Sequence, residues 1–440
     1  MDNITYKSYH VTFMENNDGT TVLHTFFRVL LSVQTALLSS IRPMFAEQEQ
    51  YAYEYVSIIL SMITAHTVFV DQLYMINFVT FCFIAYEFYI TNSIEDICKA
   101  LTKLNNVSTA KIQTITFLRG LTYLITVFCI LAVDFQDFPR YLAKTERYGY
   151  SLMDTGVGLF VIMSGLVHKD ANRSNLWSII VSNAKFLTVL ISLGLVRFVT
   201  IKQLDYQEHV TEYGVHWNFF FTLAVCKLFS SIILNYTKKP LLLSSLILIL
   251  HEGLLYLGLQ DWVFAENDRV SLLDANREGI VSSLGYVSIY LYAVYIRSIF
   301  HNNSLYRYEV LKKFAFNIAI LWVLSFFINI FRPTSRTLAN AGFCLYVEAI
   351  IITISLIVYF FEVVYQDKER SLSFNVPYTL LAINQNGLLY FLVANLLTGL
   401  ININIRTLLV SSFTTFIILN MYMLLTLGFN VYLKSKGIKI

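Results

Sequence analysis

Charged residues are scarce in this sequence: Asp, Glu, Lys and Arg make up 14% of its 440 residues, against about 25% in a typical soluble domain. The five cysteines are scattered without a CxxC pair, so we expect them to be apolar packing residues, with neither a disulfide framework nor a metal site. The net charge is only +3 and no basic tract is present, which argues against a nucleic-acid-binding arm. The GxSxG, HExxH and P-loop motifs are also absent from the sequence, so it carries no signature of the hydrolases, zinc proteases or nucleotide-binding proteins that use them.

Apolar residues dominate instead, with a hydrophobic fraction of 56% and a mean hydropathy of +0.59. Runs of about 18 or more apolar residues recur, each long enough to cross a membrane as a helix, whereas the alternating segments of a membrane β-barrel are absent. We therefore predict an all-α, polytopic integral membrane protein with about 13 transmembrane helices. We expect a single transmembrane domain over residues 1–440, which begins with a short polar segment at residues 1–22 without signal-peptide features. The predicted helices centre near Val33, Met62, Phe81, Leu124, Val161, Leu187, Leu223, Leu248, Ser288, Ile320, Ser355, Leu396 and Ile418.

The distribution of Lys and Arg between the connecting loops predicts the orientation. Loops on one face carry about 17 basic residues and those on the other about 11, which places the N-terminus in the lumen and the C-terminus in the cytosol. The polar stretches 205–221, 274–286 and 332–343 then share the lumenal face with the opening segment. Glycosylation sequons begin at Asn3, Asn106, Asn172, Asn235 and Asn302. In this orientation at most Asn3 is glycosylated.

Several ionisable residues fall inside the predicted spans. Each costs about 2.5–3.5 kcal/mol in the membrane centre, so each is expected to face the bundle interior with a partner. Structural pairing between helices and a substrate or proton path are both open interpretations. The residues are Arg28, Glu87, Arg119, Lys185, Lys227, Glu252 and Glu348.

The connection at residues 133–158 concentrates charge between two apolar runs. Acyl transfer to an alcohol needs a base for the hydroxyl proton and a positive or donor group for the developing oxyanion. Asp134 ends an apolar span, where partial desolvation raises carboxylate basicity, and Lys144 follows beyond a turn at Pro139. The two residues suit a catalytic pair of base and positive donor, with their roles interchangeable, and the resemblance described below implies that the reaction is acyl transfer. Anchoring at the membrane boundary is the alternative interpretation.

Five blocks together resemble the inositol acyltransferases of GPI-anchor biosynthesis, called the GWT family in fungi and the PIG-W type in animals. The blocks are "ILAVDFQDFPRYLAKTERYGYSLMDTGVG" (130–158), "EYGVHWNFFFTLA" (212–224), "NREGIVSSLGY" (276–286), "SRTLAN" (335–340) and "VANLLTGLIN" (393–402). The resemblance implies an enzyme of the endoplasmic reticulum membrane that moves a fatty acyl group, typically palmitoyl, from acyl-CoA to the inositol 2-hydroxyl of glucosaminyl-phosphatidylinositol. It also implies an apolar tunnel for the acyl chain and places catalysis at Asp134 and Lys144.

Other polar residues of these blocks are candidates for binding the substrates. Guanidinium groups suit the phosphates of the acceptor lipid or of CoA, and carboxylates suit the glucosamine ammonium; mutual neutralisation within the folded loops is the alternative. The histidine and asparagine candidates could instead have a structural role, in helix packing or in the loops. The arginine candidates are Arg140, Arg277 and Arg336, the acidic ones Glu146, Asp154 and Glu278, and the others His216, Asn218, Asn276, Asn340 and Asn395.

The expected partners are acyl-CoA as co-substrate, glucosaminyl-phosphatidylinositol and membrane lipid, with no permanently bound cofactor, no metal and no nucleic acid. Two other functions stay open on the residues alone. A multi-span lipid transporter or flippase would explain the buried charges and the polar residues in helices. A histidine-dependent membrane O-acyltransferase would use His216, with His209 seven residues before it.

Overall fold

The structure is a computed structural model of the whole chain. It describes residues 3–42, 47–105, 112–169, 175–204, 212–266, 269–366 and 373–439. The sequons at Asn106 and Asn172 lie outside these ranges.

Every named element in the described ranges is helical, which confirms the all-α prediction. Short 3-10 and π turns interrupt or extend some of the helices. The α-helices are α1 (Asn3–Met14), α2 (Val22–Ser40), α3 (Glu47–Glu54), α4 (Ser61–Thr67), α5 (Leu73–Thr91), α6 (Ile94–Leu101), α7 (Gln113–Ala132), α8 (Leu152–Leu166), α9 (Leu176–Leu204), α10 (Phe219–Tyr236), α11 (Pro240–Leu254), α12 (Gln260–Phe264), α13 (Leu272–Ala275), α14 (Arg277–Phe300), α15 (Arg307–Phe331), α16 (Ala341–Tyr365), α17 (Tyr378–Gln385), α18 (Gly387–Asn404) and α19 (Ser412–Ser435).

Eleven helices in the described part of the chain are long and apolar enough to cross a membrane. They are α2, α5, α7, α9, α10, α11 with its continuation into α12, α14, α15, α16, α18 and α19. A helix covers each of the thirteen predicted centres. The two centres outside the eleven are Met62, in α4 behind a π turn, and Val161, in the 15-residue helix α8. The protein is a multi-pass membrane protein.

Burial separates central helices from peripheral ones, although all are strongly apolar. The membrane-spanning parts of α14, α16 and α7 are 83%, 78% and 72% buried within the protein, whereas those of α5, α11 and α15 are each 17% buried. Apolar surface on the outer helices therefore faces the bilayer, and the inner helices pack against one another. The candidate site residues lie at the ends of α7, α8, α14 and α16, so three central helices and their neighbour α8 hold the site.

Arg28, Glu87 and Glu252 are charges at membrane depth that have a partner, as expected. Arg28 is fully buried in α2 and donates from its guanidinium to the carbonyl oxygens of Ala65 and Val70, each over 2.7 Å. It thereby satisfies backbone acceptors near the end of α4. Glu252 in α11 pairs with Arg332 over 2.7 Å. Both charges hold helices together.

Two others depart from the expectation of an inward-facing partner. The Lys185 side chain is exposed on α9, where its flexible stem allows the ammonium to reach toward the membrane boundary. Glu348 is buried in α16, but its Oε1 makes no hydrogen bond to any described residue. Glu87 does find a partner, since Arg42 donates to it over 3.0 Å.

The polar stretches predicted to share one face do meet at one end of the bundle. The connection between α7 and α8, which we call the charged loop (residues 133–151), contacts the stretch before α10 through the ion pair of Lys144 with Glu212. It also contacts the stretch before α16, where the Gly149 N–H donates to the Thr334 carbonyl over 2.8 Å. These contacts between distant parts of the chain enclose the candidate site.

The N-terminal segment is part of the same assembly. Asn17 donates from its amide to the carbonyl oxygens of Ala143 and Lys144, both over 2.9 Å. The Asn16 N–H donates to Glu146 Oε1 over 2.8 Å. The segment therefore braces the backbone on both sides of Lys144, a role that its polar composition did not predict.

Candidate functional site

Asp134 lies two residues beyond the end of α7 and is 3% exposed. Asn402, near the end of α18, donates from Nδ2 to Asp134 Oδ2 over 2.8 Å. Burial raises the pKa of Asp134 to about 6, even though the Asn402 hydrogen bond and the positive charges of Arg140 and Lys144 favour its ionised form. The carboxylate is thus a stronger base than a solvated aspartate and is still mostly ionised at neutral pH.

Lys144 forms a two-pronged ion pair with a residue that the sequence did not single out. Its Nζ lies 2.6 Å and 2.8 Å from the two carboxylate oxygens of Glu212. Burial opposes ionisation of Glu212, but Lys144 and Arg336 outweigh that effect and lower the pKa of Glu212 to about 2. Glu212 is therefore charged throughout the physiological range and fixes the position of the Lys144 ammonium.

Arg336 and Asp154 form a second ion pair, which is buried. Arg336 Nε lies 2.8 Å from Asp154 Oδ1, and the two side chains are 2% and 1% exposed. Thr145 donates to the Asp154 carboxylate from both its backbone N–H and its hydroxyl. The predicted alternative of mutual neutralisation describes this pair.

The two ion pairs form one network of alternating charge. Burial disfavours the charged guanidinium of Arg336, but Asp154 and Glu212 outweigh this effect and raise its pKa. Arg336 thus interacts with both carboxylates, and Lys144 is linked through Glu212 to the starts of α8 and α16. Moving the Lys144 ammonium disturbs a network in which every group is at least partly buried, so its position is well defined.

Arg140 presents unused donors close to Asp134. It donates from Nη2 to the Met14 carbonyl over 2.6 Å, and its Nε and Nη1 are buried without a hydrogen-bond partner among the described residues. Its positive charge favours ionisation of Asp134. Arg140 is therefore placed to donate to an anionic or carbonyl oxygen beside the carboxylate.

The remaining charged candidates lie around a cavity next to the charged loop. Glu146, Arg277 and Glu278 all line it. Glu278 is buried and paired with Arg269, whose nitrogens lie 2.9 Å and 2.5 Å from its two oxygens. The predicted charged residues thus fall into two groups. One group surrounds Asp134 and Lys144, and the other lines this cavity.

The asparagine and histidine candidates are mostly engaged in the fold. Asn218 caps the start of α10 and Asn340 caps the start of α16. Asn276 accepts the backbone N–H of His216 over 2.9 Å. Asn395 is exposed on α18 and donates back to a carbonyl of its own helix. These contacts give Asn218, Asn276 and Asn340 a structural role at the end of the helix bundle where the charged loop lies.

Glu212 and Asn402 are the site residues that sequence reasoning missed. Each lies in a block that carries the family resemblance, at the start of "EYGVHWNFFFTLA" and at the end of "VANLLTGLIN". That membership is a signal that they matter, but nothing in the sequence pairs them with Lys144 and Asp134. His209 lies outside the described residues.

Comparison with known proteins shows similarity over nearly the whole chain. The GWT1 family model matches residues 6–433. GPI-anchored wall transfer protein 1 of Schizosaccharomyces pombe is 37% identical over 77% of this chain and 76% of that protein. The Debaryomyces hansenii protein of the same name is 36% identical over 77% of both chains. Glucosaminyl-phosphatidylinositol-acyltransferase PIGW of Bos taurus is 29% identical over 98% of this chain and 99% of that protein. These matches confirm the resemblance predicted from the five blocks, and the chain belongs to the GWT1 family.

Proposed function

We propose that this protein is a glucosaminyl-phosphatidylinositol inositol acyltransferase. It transfers a fatty acyl group, typically palmitoyl, from acyl-CoA to the inositol 2-hydroxyl of the acceptor lipid during GPI-anchor biosynthesis. Family membership supports the reaction class, and the name of the bovine relative supports the acceptor. The observation that carries the proposal is the buried Asp134, held by Asn402, with the fixed ammonium of Lys144 near it.

Asp134 acts as the general base in this mechanism. Asn402 already occupies its Oδ2, so Oδ1 accepts the proton of the inositol hydroxyl. The alcohol oxygen attacks the thioester carbonyl carbon, forming the ester C–O bond as the carbonyl oxygen becomes negative. When the tetrahedral intermediate collapses, the C–S bond breaks and the CoA sulfur leaves with the electron pair. The proton held by Asp134 then passes to that thiolate, and the carboxylate is regenerated.

Lys144 stabilises the oxyanion. The bidentate pairing with Glu212 holds its Nζ at a defined place, and a preorganised charge at the developing oxyanion is usually the largest single contribution to acyl-transfer catalysis. The sequence leaves the two roles interchangeable, and our proposal assigns the base to Asp134 and the oxyanion donor to Lys144. Arg140, whose buried Nε and Nη1 have no hydrogen-bond partner among the described residues, is a second donor near Asp134.

The site lies at the end of the bundle where the N-terminal segment packs. With the N-terminus in the lumen, as the Lys and Arg distribution predicts, acyl transfer takes place at the lumenal face of the endoplasmic reticulum membrane. Both fatty chains then stay among apolar helices while the two polar headgroups meet at the charged loop.

Purified protein with palmitoyl-CoA and glucosaminyl-phosphatidylinositol tests the proposal. We expect acceptor-dependent release of CoA, with mass spectrometry locating the new acyl group on inositol. Asp134→Asn should lower the rate by at least about 100-fold, as loss of a general base does. Asp137→Asn, three residues away in the same loop, should retain activity. Failure of the wild-type protein to release CoA in response to the acceptor would contradict the proposed reaction.

A further inference from the structure

A cavity of about 210 Å³ opens beside the charged loop, and it is distinct from the surroundings of Asp134. Six charged side chains line it together with Thr337 and apolar residues, giving three positive and three negative groups. The charged residues are Glu146, Arg147, Glu266, Arg269, Arg277 and Glu278. The charges of this wall cancel, but each can bind a polar group. The cavity therefore suits a ligand with both hydrogen-bond donors and acceptors more than it suits a lipid chain.

One ion pair in this wall is structural. Arg269 grips the Glu278 carboxylate with two nitrogens at 2.9 Å and 2.5 Å, and the Glu278 side chain is 3% exposed. Removing either partner leaves a charge in a largely desolvated position, which is strongly unfavourable. This pair therefore stays closed and shapes the cavity.

A second ion pair is exchangeable. Arg147 Nη2 lies 3.3 Å from Glu266 Oε1, and the two side chains are 54% and 88% exposed. Exposed pairs of this kind contribute only about 0–1 kcal/mol. A ligand with its own charge can replace either partner at little cost.

Two charged groups of the wall have no ion pair at hydrogen-bond distance among the described residues. Arg277 is 4% exposed and donates from Nη2 to the Ala265 carbonyl oxygen. Its buried Nε makes no hydrogen bond to a described residue, since Glu278 Oε1 lies 3.8 Å away, beyond hydrogen-bond range. The Glu146 carboxylate accepts a backbone N–H from Asn16 and interacts with the positive charge of Arg140, without a hydrogen bond to it among the described residues. A buried donor without an acceptor is costly and is commonly completed by a ligand or water.

We propose that this cavity binds the amino sugar of the acceptor lipid, with Glu146 and Glu266 accepting hydrogen bonds from its ammonium and Arg277 donating to a ring hydroxyl. The inference rests on the proposed acyl transfer to glucosaminyl-phosphatidylinositol. Glu146, which lines the cavity, is two residues from Lys144 in the chain, and Arg140 interacts with both Glu146 and Asp134. A sugar in the cavity is therefore close to the proposed catalytic residues. The volume lies below the roughly 300–1,000 Å³ of pockets for drug-sized ligands, which fits one sugar ring.

Kinetics with two acceptors test the assignment: glucosaminyl-phosphatidylinositol, and its N-acetylated form, which lacks the positive charge. Glu266→Gln should raise the KM for the glucosaminyl acceptor about fivefold, the effect of losing one exposed charge pair of about 1 kcal/mol, with kcat retained. The KM for the N-acetylated acceptor should stay unchanged. Arg147→Gln removes the cation that competes for Glu266, so it should lower the KM for the glucosaminyl acceptor.

Glu95→Gln is the matched control, because Glu95 also forms an exposed ion pair, with Lys99, far from the cavity in sequence; it should leave both KM values unchanged. Equal loss toward both acceptors in Glu266→Gln, or an unchanged glucosaminyl KM in Glu146→Gln and Glu266→Gln alike, would overturn the assignment. A wild-type protein that transfers no acyl group would instead overturn the proposed function, so the two failures are distinguishable.

Discussion

Replacement of Asn402 by Leu removes a single hydrogen bond to the proposed base and changes its pKa in a calculable direction. Asn402 donates to Asp134 Oδ2 over 2.8 Å and thereby favours the ionised carboxylate. A hydrogen bond to a charged group is worth about 1.5–3 kcal/mol, and one pKa unit corresponds to about 1.36 kcal/mol. Leucine, similar in shape but without the donor, should therefore raise the pKa of Asp134 from about 6 by roughly one to two units.

The sign of the kinetic effect follows because only the ionised form is a base. The rate is lost as the pH falls through the pKa of Asp134, so the acid limb of the kcat/KM profile should lie near pH 6 in the wild type and near pH 7–8 in the variant. At pH 7 the variant should be slower by about two- to tenfold, and above pH 9 the difference should largely disappear.

CoA release measured from pH 5 to pH 9.5 checks this prediction. Asn404→Leu is the control, because Asn404 is exposed near the end of the same helix and, within the described ranges, donates to the carbonyl oxygen of Leu400. An acid limb that stays in place or moves to lower pH in Asn402→Leu would refute the assignment of Asp134 as the base.

Three further results are expected. Glu212→Gln should lower kcat by about 10- to 100-fold, because the Lys144 ammonium is then misplaced. Glu212→Asp should retain part of the rate that Glu212→Gln loses. A Glu212→Gln rate equal to that of Glu95→Gln would contradict this role. Asp154→Asn should destabilise the protein by about 3–5 kcal/mol, because it removes the carboxylate paired with the buried Arg336 guanidinium and leaves only Glu212 to balance that charge. Thermal unfolding in detergent measures this, and an unchanged midpoint would contradict it. Endoglycosidase treatment should remove a glycan from Asn3 at most, and a glycan on the Asn302 sequon would overturn the orientation.

The positions of the helices could be predicted because the bilayer imposes length and polarity on each span separately. Each of the thirteen predicted centres lies in a helix. Asp134 could be singled out because it ends an apolar run, where desolvation raises its basicity, within a block that carries the family resemblance. The gathering of polar stretches at one end also followed from counting Lys and Arg between spans. All these inferences use local sequence and the alternation of spans.

Partners distant in sequence could not be predicted. Lys144 and Glu212 are 68 residues apart and Asp134 and Asn402 are 268 apart, and only the packing of the helices brings them together. The same limit explains why Asn218 and Asn340 were candidates for binding substrate. A helix cap and a ligand contact both require a polar side chain at the mouth of the bundle, and the sequence does not distinguish them.

A structure with a bound, non-hydrolysable palmitoyl-CoA analogue tests the central claim most directly. The account predicts the carbonyl position of the analogue within about 3–4 Å of the Lys144 ammonium, with room beside Asp134 Oδ1 for the attacking hydroxyl and the acyl chain among the helices. An analogue whose carbonyl position lies at the opposite end of the bundle, away from both side chains, would contradict it.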